Sequence, residues 1–239
     1  MAQDAGLVPG GNDTRRTAVA YPMADPVKVD IWSDVACPWC YIGKRKFEEG
    51  ARRFGGDVEV EYHSFELSPD TPVDFDGSAA DFLAGHKRIP RDQVDQMLDR
   101  VIGIASEVGL EYDYESLQHT NTIKAHQLLH YAKSKGRQLD MKERLLKAYF
   151  VDGRHVGRIE DLADLAAEIG FDRADVVRSL ESDEFLSAVK ADQAQAIAYG
   201  IQGVPFFVID GKYGVSGAQD AQVFAEALTQ VAAENATVA

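Results

Sequence analysis

The sequence is poor in cysteine, in basic charge and in long apolar runs, and each shortage removes a class of protein. Two cysteines in 239 residues cannot staple a small secreted scaffold, which needs several disulfides in a short chain. No stretch approaches the roughly 18 consecutive apolar residues of a membrane-spanning helix, and residues 1–26 lack the basic-then-apolar order of a secretory leader. Asp and Glu outnumber Lys and Arg by 39 to 25, and the resulting charge of −14 repels phosphate backbones and anionic lipid headgroups. Neither nucleic acid nor a membrane is therefore expected as a partner. The expected location is cytoplasmic. Internal repeats are missing as well, while a hydrophobic content of 45% suffices for a packed core.

The two cysteines stand together, in Cys37-Pro38-Trp39-Cys40. Outside a disulfide framework, a lone CxxC reads as redox or metal chemistry. Before it, Val27 to Trp32 alternates apolar and polar residues, which predicts a strand with one buried face. From Pro38 the period changes: Cys40, Gly43, Phe47, Ala51 and Phe54 fall three and four apart and stop at Gly55-Gly56, which predicts a helix begun at the cysteines. Val58, Val60 and Tyr62 give a second strand.

About a hundred residues with helical stripes follow, beginning with Val94, Met97, Leu98, Val101, Ala105 and Val108 and continuing through Ala125, Leu128, Leu145, Leu162 and Val176. Ser182 is expected to cap a further helix running to Tyr199, with Gly200 as its left-handed stop. Phe206 to Ile209 reads as a buried strand, Asp210-Gly211 as a hairpin turn, Tyr213 to Ser216 as the partner strand. A last helix places Val223, Phe224, Ala227, Leu228 and Val231 on its apolar side. Without the helical middle, the order is that of a thioredoxin-like fold of the α/β class. The expected organisation is a flexible tail over 1–26, a discontinuous thioredoxin-like domain over 27–75 and 183–233, and an all-helical insertion over 76–182.

A helix start gathers unpaired N–H groups and a partial positive charge of about half a unit, which favours an anion there. Pro38 suits the first helical position because it has no N–H to satisfy. Cys37 is thus expected as a stabilised, nucleophilic thiolate, and Cys40, one turn inward on the buried stripe, as the shielded thiol that resolves a mixed disulfide. Trp39 stands between them, where it can support the site and touch substrate. Gly203-Val204-Pro205 precedes the Phe206 strand. A cis bond there would turn the chain and leave the backbone of Val204 facing outward, to pair with an extended substrate.

Four segments resemble the DsbA family of the thioredoxin superfamily, and within it the FrnE-like branch: Ser33 to Arg45 around the cysteines, Asn121-Thr122-Ile123-Lys124-Ala125-His126, Gly200 to Phe207, and Ser216-Gly217-Ala218-Gln219. The resemblance spans about residues 27 to 231. It implies a thioredoxin fold with a helical insertion, and thiol–disulfide exchange with Cys37 attacking and Cys40 resolving. A cis peptide before Pro205 is implied too. Substrates would be protein or peptide thiols and disulfides or a small-molecule thiol, with no bound cofactor and with a low-molecular-weight thiol or a thioredoxin-type system as redox partner. Some FrnE-like relatives carry further cysteines towards the C-terminus; none is present here.

Other readings compete. A closed zinc site takes four ligands, and CxxC supplies two; His126 and His130 share a helix spacing, but Gln127 replaces the glutamate of a zinc protease, so no metal is expected. Kappa-class glutathione transferases and hydroxychromene-carboxylate isomerases, which the motifs distantly resemble, offer a glutathione-dependent alternative. They commonly have Ser at the first cysteine position. Isomerase or chaperone activity could accompany exchange. Lys44 with Glu48 and Arg45 with Glu49 read as pairs on a solvated helix face, and Asp34 reads as a turn residue or as a proton acceptor for Cys40.

Overall fold

In a computed structural model, residues 25–238 are described; most of the tail expected over 1–26 lies outside them. The first strand, β1 (Val27–Ser33), pairs in parallel with β2 (Val58–Ser64), and the crossover between them is the cysteine helix α1 (Pro38–Phe54). Two short strands, β3 (Phe206–Ile209) and β4 (Tyr213–Ser216), close the sheet in the order β2-β1-β3-β4, β3 running antiparallel to β1. The turn joining them is Asp210-Gly211, both at positive φ as a tight hairpin requires. This is a thioredoxin fold.

One face of the sheet is covered by α1 and by α9 (Ala221–Val238). Phe47, Phe207 and Phe224 meet there with ring centroids 4.6–5.5 Å apart. The two helices come so close that a Cβ on Gly50 would stand 2.6 Å from Phe224 Cβ, and that approach demands glycine. Phe224, Leu228 and Val231 point inward as the spacing predicts, but Val223 is exposed.

The opposite face carries Trp32 and Val208 against α8 (Leu186–Ala198). Here the expectation for Ser182 needs correcting. It ends α7 (Arg173–Glu181), its hydroxyl donating back to the Ser179 carbonyl, and α8 starts only after Asp183, at φ +54°, has turned the chain.

Between β2 and α8 lie six helices: α2 (Ala79–Lys87), α3 (Arg91–Glu107), α4 (Ile123–Ser134), α5 (Gln138–Phe150), α6 (Ile159–Glu168) and α7. The apolar stripes of α3 to α7 share a second core with Val35 of the turn after β1 and with Tyr41 and Ile42 of α1, so the cysteine turn is wedged between two cores. Helix α2 escapes the search for stripes, and its signal was a different one: Ser78 and Asp81 form a reciprocal capping box. The free edge of β2 is satisfied by Gln138, whose amide exchanges two hydrogen bonds with the backbone of Tyr62.

Candidate active site

Strand β1 delivers the chain to a turn at Asp34, whose carboxylate accepts from the backbone N–H of Ala36 and of Leu67. Cys37 then takes the N-cap position in an extended conformation, Pro38 opens α1, and the Cys40 N–H donates to the Cys37 carbonyl at 3.0 Å. Both cysteines are reduced and buried, at 3% and 2% exposure. The Val204–Pro205 peptide is cis. Its loop sits directly on the cysteine helix, since a Cβ on Gly43 would meet the Pro205 ring at 2.9 Å. The Cys37 thiol donates to the Val204 carbonyl at 3.4 Å. That carbonyl, expected to face outward towards substrate, is therefore occupied in the reduced protein.

The helix is steadied from the helical block. Tyr112 donates its hydroxyl to the Pro38 carbonyl at 2.8 Å, and Glu143 receives Tyr41 at 2.6 Å, Lys44 at 2.6 Å and the Arg45 guanidinium. This corrects the solvated-face reading. Lys44 does pair with Glu48, but it is buried, and Arg45 turns to Glu48 and Glu143 while Glu49 pairs with Arg52 and Arg53. The Asn121 to His126 segment acts as a bracket. Asn121 donates to the Pro69 carbonyl and accepts from the N–H of Ile123, and His126 reaches Asp34 at 3.3 Å. His130, one turn on, bonds Ser64 and Asp192 instead, so the two histidines serve different partners.

The electrostatics depart from the expected thiolate at Cys37. Cys37 makes no side-chain cap bond, and the backbone N–H of Cys40, which draws the Cys37 thiol down, is outweighed. The neighbouring Cys40 sulfur and its charge, together with burial, hold the Cys37 thiol well above its ordinary value, with Asp34 adding to the effect. On Cys40, burial is outweighed by the neighbouring Cys37 thiol and by the ammonium of Lys142, which hold its thiol below the ordinary value. Burial and neighbouring charge thus act against the helix start at Cys37. Asp34, buried, is nevertheless held below the usual carboxylate range by its bonds to His126, Leu67 and Thr122, which suits a turn anchor better than a proton acceptor.

Lys142 gave no sign in the sequence. It is 0% exposed, its Nζ finds no hydrogen-bond partner among the described residues, and it lies 5.2 Å from the centroid of the Tyr62 ring. Burial lowers its own pKa.

A cavity of about 510 Å³ opens beside the cysteines, between the turn at Asp34, the loop at Val204 and helices α2 and α3. Cys37, Pro38, Trp39 and Val204 line it; Cys40 does not. Trp39 is 39% exposed at its wall, and Pro205, buried, supports the loop from behind. The site residues expected from the sequence are thus brought together, with Tyr114 and His119 of the helical block joining them unforeseen.

Residues 28–229 match the DSBA-like thioredoxin domain family, and the chain belongs to it. It is 38% identical to a probable DsbA oxidoreductase of Streptomyces coelicolor, whose crystal structure superposes with a TM-score of 0.79 over 87% of this chain and 91% of that one. The uncharacterized protein YwbO of Bacillus subtilis (strain 168) is 29% identical over 216 residues, 85% of this chain and 96% of YwbO. The cytosolic disulfide reductase DsbM of Pseudomonas aeruginosa, solved also with GSH, shares the fold at 16% identity and a TM-score of 0.59, over 89% of this chain and 100% of DsbM.

Proposed function

We propose that the protein is a dithiol–disulfide oxidoreductase, with Cys37 attacking substrate and Cys40 resolving the mixed disulfide. The observation that carries this reading is that two reduced thiols lie one turn apart and, of the two, Cys37 lines the neighbouring cavity and Cys40 does not. Access, rather than acidity, selects the nucleophile. The Cys37 proton passes to Cys40, and the Cys37 thiolate attacks a substrate disulfide, expelling one thiolate. Cys40 then surrenders the proton to that leaving group and attacks Cys37 Sγ, expelling the second. Two electrons pass from the protein dithiol to the substrate, and neither a metal nor an organic cofactor enters the step.

Pro38 and Pro205 hold the two loops against each other, and Val204 and Trp39 form the rim that substrate touches. Partners are protein or peptide thiols and disulfides and a small-molecule thiol with its disulfide, the latter class favoured by the GSH solved with the distant DsbM. A low-molecular-weight thiol or a thioredoxin-type system returns the dithiol, the location is cytoplasmic, and the motifs support membership of the FrnE-like branch. Insulin reduction with a thiol donor tests the reading. Cys37→Ser is expected to abolish turnover and Cys40→Ser to stall as a mixed disulfide. Equal rates in wild type and Cys37→Ser would refute it. A glutathione-dependent isomerase or transferase rate that survives Cys40→Ser would favour the alternative built on a single activated thiol.

A further inference from the structure

The cavity beside Cys37 holds features that exchange chemistry alone does not explain. Its walls are largely apolar, with Phe82, Val101, Leu117 and Phe150 among them, and a volume of about 510 Å³ lies within the usual range of small-molecule sites. Two polar side chains in this wall are unfinished: Tyr114 Oη and His119 Nε2 are buried and without a hydrogen-bond partner among the described residues. Each such orphan is costly unless something completes it.

The tautomer of His119 follows from its other nitrogen. Tyr149 Oη lies 2.8 Å from His119 Nδ1. No other hydrogen-bond partner is found for that hydroxyl among the described residues, so it donates to Nδ1 and leaves the proton on Nε2. Burial lowers the His119 pKa to about 4, so the ring is neutral at pH 7. Phe82, with ring centroids 3.7 Å apart, fixes its plane. Tyr114 Oη, like His119 Nε2–H, is then a donor in want of an acceptor. Asp34, the one carboxylate among the lining residues, is already taken up by Ala36, Leu67 and His126. Lys87 and Arg100 stand exposed at the rim and give this part of an acidic protein a local positive charge.

We propose that the cavity is a binding site for small organic disulfides that pair an apolar body with an acceptor oxygen, a carboxylate above all, which Tyr114 Oη and His119 Nε2–H receive while Cys37 attacks the sulfur. The proposal rests on the reading of Cys37 as the attacking thiol. With a diaryl disulfide the Cys37 thiolate forms a sulfur–sulfur bond to one aryl half and expels the other as thiolate. Cys40 then closes the Cys37–Cys40 disulfide and expels the second. The protein dithiol loses two electrons, the substrate gains them, and the two thiol protons go to solvent. A single turnover needs no other reductant.

The probe is dithiobis(nitrobenzoate), an aromatic carboxylated disulfide whose thiolate is coloured, compared with cystamine, which has neither ring nor acceptor oxygen. With pre-reduced protein, the single-turnover rate is expected to saturate with dithiobis(nitrobenzoate) and to rise linearly with cystamine. Tyr114→Phe and His119→Leu should each lower the ratio of the two rates about tenfold, the loss of one hydrogen bond to a charged acceptor. A second arm removes the redox step: binding of methylthiobenzoate to the Cys37→Ser/Cys40→Ser protein, followed by calorimetry, should weaken about tenfold on adding Tyr114→Phe. Reduction of both disulfides without saturation, at a ratio that neither variant moves, would overturn the proposed ligand and leave the exchange reading intact. Tight, Tyr114-dependent binding of methylthiobenzoate by a protein whose dithiol reduces neither disulfide would overturn the exchange reading and support the ligand class.

Discussion

On one face the sheet meets its helices through apolar side chains. Phe47 of α1, Phe207 of β3 and Phe224 of α9 pack ring against ring beside Leu228 and Val231, and Gly50 lets α9 approach α1. On the other face, and along the side of α1 that meets the helical block, carboxylates and their donors join the apolar contacts. His63 of β2 lies between Asp30 and Asp192, 2.9 Å from each, and stacks on Trp32; Glu143 of α5 gathers Tyr41, Lys44 and Arg45. Apolar packing is strong and indifferent to angle, whereas charge-assisted hydrogen bonds add little net stability but fix direction. The ring face holds the fold, and the polar contacts set where the cysteine turn stands against the cavity.

The largest effect that can break this comparison is expected on the ring face. Phe224→Ala should cost about 3–5 kcal/mol in urea unfolding, with the exchange rate of the remaining folded protein within about twofold of wild type. A variant that stays stable but exchanges slowly would show that the ring face also steers the site.

Next comes His63. Burial opposes its protonation, but the bonds to Asp192 and Asp30 prevail and raise its pKa to about 9 from 6.5. A raised value means that the stabilisation is complete below pH 6.5 and is lost as pH climbs through about 9. Thermal unfolding should therefore lose on the order of 1–2 kcal/mol over that window, discounted for residual exposure, and His63→Gln should remove the slope.

Glu143 has the opposite sign. Burial raises its pKa, yet Arg45, Lys44 and Tyr41 bring it down to about 2, so its contribution is present above pH 4.5 and disappears as pH falls through about 2. Glu143→Gln should cost only about 1 kcal/mol and flatten that acid limb. Its larger consequence is expected on exchange, slowed severalfold as the start of α1 loosens. The smallest change in stability is expected from Lys142→Met, near neutral or slightly stabilising because an unpartnered buried cation is removed. The same change should raise the Cys40 pKa, read as the appearance of thiolate absorbance with pH. An unmoved titration would show that Lys142 does not act on the cysteines.

Local motifs were legible because their chemistry is written in adjacent residues. Cys37 to Cys40 after a strand, the proline at 205 before another, and Asp210-Gly211 between two short strands each announce their geometry within a few positions. What the helical block contributes was not legible. Lys142 and Glu143 are consecutive residues in a charged stretch that reads as a solvated face, and only the packing of α5 on β2 and α1 turns them inward. Tyr114 and His119 lie in an irregular segment with no period to interpret. The electrostatics of the two sulfurs were illegible for a related reason: the helix start is a local property, while the burial of Cys37 and the charge beneath Cys40 arrive from residues about a hundred positions away.

The claim on which the account turns is that substrate reaches one sulfur and not the other. Mass spectrometry of the single-cysteine variants after exposure to a disulfide substrate measures it directly. Cys40→Ser should accumulate a stoichiometric adduct on Cys37, whereas Cys37→Ser should leave Cys40 unmodified in the folded protein. Equal labelling of the two, or an adduct on Cys40 alone, would contradict the account.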